Sequence, residues 1–293
     1  MKLAVVGLGL IGGSMALDLK ARLYVSEVLG VDHSQAHADE ALKLGLVDRI
    51  STLEEACKEA DLIILSTPVN ILSSLLPRVL DLIPEHVVVT DVGSTKAKLT
   101  EAVKDHPKRK QFVPSHPMAG TEFSGPKAAH AGMFKDKATV ICDATESSEE
   151  HLQKIISMYQ QLEMRVLYMN SKEHDLHAAY VSHLSHISSF VLANTVLDKE
   201  KNVNAIFDLA SAGFESTVRL AKSSPAMWAP IFEQNNEHIV EALGAYIDRL
   251  KLFHQKLVAK DFEGTKSLMT QSNEIKRVLE KIQNKNTKNE ARK

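Results

Sequence analysis

The chain has 293 residues, 44% hydrophobic and 25% charged, which excludes disorder throughout, supplies apolar surface for a sizeable core and predicts about two domains. Lys and Arg number 35 against 37 Asp and Glu, a formal charge of −2 with a pI of about 6.7, so the balance marks neither a nucleic-acid nor an anionic-membrane partner. Two cysteines without CxxC spacing, no apolar run of about 18 residues, and glycines straight after the first apolar segment predict a cytoplasmic protein without disulfides, membrane span or signal peptide, acting on a small molecule.

In chain order, Leu3–Val6, Val28–Val31, Leu62–Leu65, Val87–Thr90, Phe112–Val113, Thr139–Ile141 and Val166–Leu167 read as strands. Each is short, mostly apolar and bounded by Gly, Pro, Asp or Ser. Between most of them, Ser14–Lys20, Leu53–Glu59, Val69–Leu80, Lys96–Lys104 and Glu149–Leu162 read as helices. This alternation predicts a mostly parallel sheet with helices on both faces. From Ser171 the strand signal stops. Ser171–Asp198, Val203–Ala221, Pro225–Ala259 and Phe262–Lys285 read as helices, with Pro225 in a first turn. The expected division is an α/β domain over 1–170, an all-α domain over 171–283, and a polar, frayed tail over 284–293.

Gly7-Leu8-Gly9-Leu10-Ile11-Gly12-Gly13-Ser14 directly follows the first strand and opens a helix. Glycines mark many turns, but this is the context that a GxGxxG dinucleotide fingerprint requires. Gly7 would allow the tight turn, Gly9 the approach of a pyrophosphate, and Gly12 close packing of helix on strand. The amides of Leu10 and Ile11, at the helix N-terminus, would face the phosphates. Asp32 ends the second strand 20 residues after Gly12. A carboxylate there can bond both ribose hydroxyls of an adenosine and repels a 2′-phosphate. His33-Ser34 follows rather than Arg, so NAD is expected over NADP. Ser66-Thr67-Pro68-Val69 lies at the same carboxyl edge, either beside the cofactor or as an ordinary strand-to-helix turn. The N-terminal domain is thus expected to be Rossmann-type.

Two further strand ends carry polar residues: Asp91-Val92-Gly93-Ser94-Thr95-Lys96 and Ser115-His116-Pro117-Met118-Ala119-Gly120-Thr121-Glu122. Strand carboxyl ends near the switch point of an open sheet form the ligand crevice. Ser94 and His116 are therefore expected to point at the nicotinamide end, where His116 can accept a proton from a substrate hydroxyl as hydride leaves.

GLGLIGGS, DVGSTK and SHPMAGTEFSG, with Ser182-His183-Leu184-Ser185-His186 and the run from Arg219 to Trp228, resemble the signature segments of the prephenate dehydrogenase family, which includes arogenate dehydrogenases. The resemblance covers about residues 1–280. It implies NAD-dependent oxidative decarboxylation of prephenate to 4-hydroxyphenylpyruvate, a step towards tyrosine. It also implies a homodimer paired through the helical domains, with the active site between sheet domain and helices. By motif, His116 would accept a hydrogen bond from the substrate's C4 hydroxyl. Ser94 would orient His116 or share that hydroxyl, and Arg219 would clamp a carboxylate. His183 and His186, three apart on one helix face, would contact substrate, as would Thr121; Trp228 would line the pocket or pack in the core. His183, His186 and Arg219 would supply donors or positive charge for a dianionic keto acid, so prephenate is expected over arogenate. Glu122 is expected to pair with a cation rather than receive arogenate's ammonium.

His174 and His177 repeat the three-residue spacing and read as a solvated helix start. A metal site built from the two HxxH pairs finds no matching carboxylate or cysteine spacing, and the family needs none. The chain carries Ser216 and Ala212 where family members commonly have an acidic residue and a glycine. That departure bears on substrate gating and on any tyrosine inhibition at the active site, not on the reaction class. From the chain's ends, neither a regulatory domain nor a chorismate mutase segment is expected. Among rival readings, a 3-hydroxyacid dehydrogenase would need a lysine on the first long helix, where Lys172 is the nearest, and would leave SHPMAGTE unexplained. A catalytically silent NAD-binding sensor would not need Ser94, His116 and Arg219 together.

Overall fold

β1 (Lys2–Val6) sends Leu3 and Val5 into one apolar cluster and Ala4 and Val6 into another, because side chains alternate along a strand and both faces of this one are covered. The computed structural model describes residues 1–201 and 206–280. The tail expected at 284–293, and parts of the helices expected at 203–221 and 262–285, lie outside the described residues. The chain forms two compact units, residues 1–238 and 239–293.

In the first unit, β1, β2 (Glu27–Val31), β3 (Arg49–Ile50), β4 (Leu62–Leu65), β5 (Val88–Asp91) and β6 (Phe112–Val113) form a parallel sheet in the order β3-β2-β1-β4-β5-β6. This is the order of a doubly wound dinucleotide-binding sheet, with its switch point between β1 and β4. Helices α1 (Leu10–Ala21), α2 (Gln35–Lys43), α3 (Leu53–Glu59), α4 (Val69–Leu82), α5 (Ala97–Glu101) and α6 (Glu149–Gln161) alternate with the strands. Thr52 and Glu55 start α3 with a capping box, each side chain bonding the other's backbone amide. The helix at 35–43 and the strand at 49–50 add to the expected elements. α2 buries only Ala38 and Ala41 in a polar sequence, and β3 is two residues long, so neither leaves a clear apolar period.

A second sheet takes the remaining strands. β7 (Ser115–Pro117) runs antiparallel to β8 (Ala138–Cys142), which is parallel to β9 (Arg165–Met169). The chain changes sheets at Pro114, which has no N–H to extend the first ladder, while its carbonyl accepts from Cys142 N–H at 2.9 Å. His116 therefore stands on a short strand of its own rather than in the turn expected there.

The expected helix at 171–198 is three consecutive pieces: α7 (Ser171–Ala178), a π-helical stretch Ala179–His183, and α8 (Leu184–Glu200). Asn170 caps α7, accepting from Glu173 N–H at 2.8 Å. After 206 come single 3₁₀ turns at Phe207–Leu209 and Arg219–Lys222 around α9 (Ala212–Val218), then α10 (Pro225–Gln234). In the second unit lie most of α11 (Asn236–Val258) and α12 (Phe262–Ser272), which Asp261 caps by accepting from Gly264 N–H at 2.8 Å. Among the described residues no helix is long and apolar enough to cross a membrane. Cys57 and Cys142 are both buried free thiols.

Candidate active site

The glycine turn after β1 has three different steric requirements. Gly7 has φ +97°, and a Cβ there would lie 2.7 Å from the Ser66 carbonyl carbon. A Cβ on Gly12 would lie 2.2 Å from Ser66 Oγ and 2.4 Å from the Gly7 oxygen, so α1 can approach β1 and β4 only without one. A Cβ on Gly9 would meet nothing within 4 Å. Gly9 is also the N-cap of α1, which has no side-chain cap and no acidic residue in its first turn. The amides of Leu10 and Ile11 thus head a helix that leaves room for an anion where the Cβ would be.

Asp32 closes the far side of this cradle. Its Oδ2 accepts from Leu8 N–H at 2.8 Å and its Oδ1 from Ser34 N–H at 2.9 Å, which leaves each oxygen a lone pair for a ribose hydroxyl. Ser66 donates to the Gly7 carbonyl at 2.5 Å and so braces the turn from beneath. Thr67 Oγ1, next along, is buried with no partner. Pro68 is exposed and forms the N-cap of α4. An open anion position, a carboxylate with spare acceptor capacity and an orphaned hydroxyl fit a dinucleotide.

Beyond the cradle, the loop after β5 is closed by a fully buried ion pair between Asp91 and Lys96. Burial pushes the Asp91 carboxyl up from its ordinary value, opposed by the Lys96 charge and by amide hydrogens from Gly93 and Ser115. Asp91 thereby ties the DVGSTK loop to β7 and sets the half-buried His116 beside the half-buried Ser94 loop. Ser94 makes no hydrogen bond among the described residues. His116 Nδ1 is instead hydrogen-bonded to His174 Nε2, at 2.8 Å. His174 is 3% exposed, so the expectation of a solvated helix start is wrong for it, although His177 is exposed as expected. His174 Nδ1 is in turn 2.8 Å from Asp175 Oδ1. Burial, then His174, Lys96 and His183, hold His116 well below the usual histidine range, so its ring is neutral at pH 7.

The π-helical stretch is what gathers the other histidines. Nine residues of α-helix turn through about two and a half turns, which would put His174 and His183 on opposite faces. The wider π turn underwinds that rotation and leaves Asn235 able to reach both neighbourhoods. Asn235 Nδ2 donates to the Asp175 carbonyl at 2.7 Å and lies 3.2 Å from His183 Nδ1. That amide orientation makes His183 Nδ1 the acceptor and its Nε2 the free donor. Burial lowers the His183 pKa to about 4 and also lowers that of His186. Both are neutral at pH 7, so the site's positive charge falls to Arg219 rather than to these histidines. Trp228 is 6% exposed and belongs to the apolar cluster that holds Leu72 and Leu76, as the core expectation had it, and it lies over His186 with ring centroids 3.7 Å apart. Its Nε1 is buried without a partner.

Arg219 Nη1 donates to Glu122 Oε2 at 3.2 Å. Glu215 lies by Lys222 instead, at 3.9 Å, and Ser216 Oγ donates to the Gly213 carbonyl. The carboxylate partner of Arg219 thus comes from the SHPMAGTE loop and not from its own helix. Thr121, in that loop, is exposed and accepts from Phe123 N–H. His174, Asp175 and Asn235 are the residues that sequence reasoning missed. Only the HxxH spacing at His174 singled out any of them.

Residues 15–168 match the family model described as prephenate dehydrogenase, nucleotide-binding domain, and residues 170–271 match prephenate dehydrogenase, dimerization domain. The chain is 32% identical to the prephenate dehydrogenase of Bacillus subtilis over 260 residues, 88% of this chain and 70% of that protein. It is similar in structure to the prephenate dehydrogenase of A. aeolicus solved in complex with hydroxyphenyl propionate and NAD+, with a TM-score of 0.86 at 27% identity over 95% of this chain and 97% of that one. The arogenate dehydrogenase of Synechocystis gives a TM-score of 0.75 at 26% identity over 95% of this chain and 100% of that one. With both halves matched and a nucleotide cradle beside a buried histidine cluster, the chain belongs to the prephenate dehydrogenase family.

Proposed function

We propose that the protein is a homodimeric, NAD-dependent dehydrogenase that converts prephenate to 4-hydroxyphenylpyruvate. The observation that carries this reading is His116, a neutral ring fixed at Nδ1 by His174 in the crevice after β5 and β6. Prephenate is a cyclohexadiene with a C4 hydroxyl and two carboxylates, and it becomes aromatic on losing hydride from C4 and CO₂ from C1. NAD, when bound, would accept that hydride. Gly9, the α1 amides and Asp32 would hold it, and Thr67 Oγ1 offers a further hydrogen bond. His116 would accept the hydroxyl hydrogen bond and stabilise the positive charge that develops at C4–O. Arg219 would take a substrate carboxylate, exchanging Glu122 for it, and His183 Nε2–H would donate to a carboxylate or the keto group.

Arogenate differs from prephenate in having an ammonium in place of the keto group. Glu122 beside Arg219 is the observation that favours arogenate as a second reading. That carboxylate is already engaged by the Arg219 guanidinium, which supports prephenate. Specificity constants for both substrates, with NAD and with NADP, test the reading on one preparation. A higher value for prephenate with NAD is expected, and Asp32→Ser should shift the cofactor ratio towards NADP. A higher value for arogenate overturns the substrate assignment, and a wild-type preference for NADP overturns the role of Asp32.

A further inference from the structure

We propose that Asp175 and His174 are positioning residues that fix His116 in the tautomer protonated at Nδ1, so that Nε2 is the acceptor for the substrate hydroxyl, and that they share the charge while the proton resides there. The inference rests on the reading of His116 as that acceptor. Asp175 Oδ1 accepts from Lys96 N–H at 2.8 Å and Oδ2 from Ala97 N–H at 2.9 Å, so the group is anchored at the start of α5. An ionised carboxylate only accepts, so His174 Nδ1, 2.8 Å from Oδ1, carries a hydrogen. A neutral imidazole protonated at Nδ1 has its lone pair at Nε2. That lone pair is 2.8 Å from His116 Nδ1, which must then be the donor. The remaining ring nitrogen, His116 Nε2, is left with a lone pair.

The opposite arrangement needs a doubly protonated His174 donating to His116 Nδ1, which would place the hydrogen on His116 Nε2 and remove the acceptor. A single hydrogen on His174 satisfies both contacts without a second proton, serving Asp175 from Nδ1 while the Nε2 lone pair serves His116. Burial alone would raise the Asp175 carboxyl, yet the bond from His174 and the two amides bring it below its ordinary value, as a fixed anion requires. His174 and Asp175 are consecutive residues of a capped helix, and Asn235 holds the Asp175 carbonyl, so the chain is built on rigid backbone.

The proton balance needs no release to solvent. The substrate O–H leans to His116 Nε2 as the C4–H electron pair leaves as hydride. When CO₂ departs, the electron pair of its bond closes the aromatic ring, and the phenol oxygen keeps or regains its proton. Throughout, His116 Nδ1–H donates to His174, and Asp175 balances the charge along the chain.

The test is the tautomer itself. In protein labelled with ¹⁵N-histidine, long-range ¹H–¹⁵N correlation at neutral pH should show His116 with a protonated Nδ1 and a bare Nε2, the signals being assigned by their loss in His116→Asn. In His174→Phe they should become a mixture of tautomers. A protonated Nε2 in the wild type, or an unchanged pattern in His174→Phe, overturns the proposal. His174→Gln can still accept from Nδ1–H but cannot carry charge. It should keep the tautomer, lower kcat by roughly 10–100-fold, the range for groups that orient a histidine, and leave both KM values within about three-fold. A kcat within about two-fold of wild type overturns the charge sharing. If the Phe variant fails to fold, the wild-type spectrum and the Gln variant still decide. If wild type turns over neither prephenate nor arogenate, the functional reading fails, while the tautomer measurement still judges the chain on its own.

Discussion

The nucleotide cradle and the histidine cluster are built on opposite principles. The cradle is local: eight consecutive residues, Gly7 to Ser14, make the turn, the anion position and the helix start, and Asp32 is added from the neighbouring strand. The histidine cluster is assembled from distant segments. His116 comes from β7, His174 and Asp175 from α7, His183 from the end of the π turn, His186 from α8, and Asn235 from just after α10. The cradle should therefore tolerate only what its sterics allow, whereas the cluster should respond to chemistry, charge and pH.

The sharpest contrast is at the reacting atom. His116→Asn should lower kcat by about 10²–10⁴, as expected for a group acting on a transferring proton, with the NAD dissociation constant nearly unchanged; steady-state rates and a binding titration check both. Turnover close to wild type would move the chemistry elsewhere. Arg219→Ala should raise KM for prephenate by roughly 10–100-fold, since hydrogen bonds to charged groups contribute about 1.5–3 kcal/mol. Half-exposure of Arg219 (51%) puts the expectation at the lower end. Equal changes in the KM for NAD would make the arginine structural.

Within the cradle, two glycine substitutions should part company. Gly12→Ala forces a Cβ against Ser66 Oγ and should cost about 1–3 kcal/mol, read as a drop of several degrees in Tm. Gly9→Ala meets no protein atom, so Tm should hold within about a degree while NAD binding weakens roughly ten-fold. Loss of stability in both would mean that Gly9 serves the turn alone.

The cluster should also make stability depend on pH. The His183 pKa falls from 6.5 in the unfolded chain to about 4 in the folded one, with burial as the main cause, and His116 and His186 shift the same way. Between those values the unfolded chain binds protons that the folded chain refuses. Stability from the neutral rings is therefore complete above about pH 6.5 and is lost as pH falls towards 4. Tm measured from pH 7 to 4.5 should fall, and His183→Gln should flatten that slope. The smallest effect is expected at Glu122→Gln. An ion pair with a half-exposed arginine contributes about 0–1 kcal/mol, so KM for prephenate should improve by less than about five-fold as Arg219 is released.

Legibility in the sequence follows the same division. Five of the six strands of the first sheet and the cradle show in short apolar runs and glycine spacing, because their determinants are neighbours in sequence. β3 and α2 escape because two residues carry no period and QAHADEALK has only two buried positions. Pro114 was readable as a strand end, but not as a change of sheet. His174 was misread because an HxxH pair at a polar helix start looks solvated; its burial comes from β7, 58 residues away. No local pattern announced the π turn that brings His183 round, nor the pairing of Arg219 with Glu122 across 97 residues.

Cradle and cluster together should serve one oxidative decarboxylation. Purified protein given prephenate and NAD should yield reduced cofactor, CO₂ and 4-hydroxyphenylpyruvate in equal amounts, followed by absorbance, trapped carbonate and chromatography. Reduced cofactor without CO₂, or no reduced cofactor from either prephenate or arogenate, would contradict it.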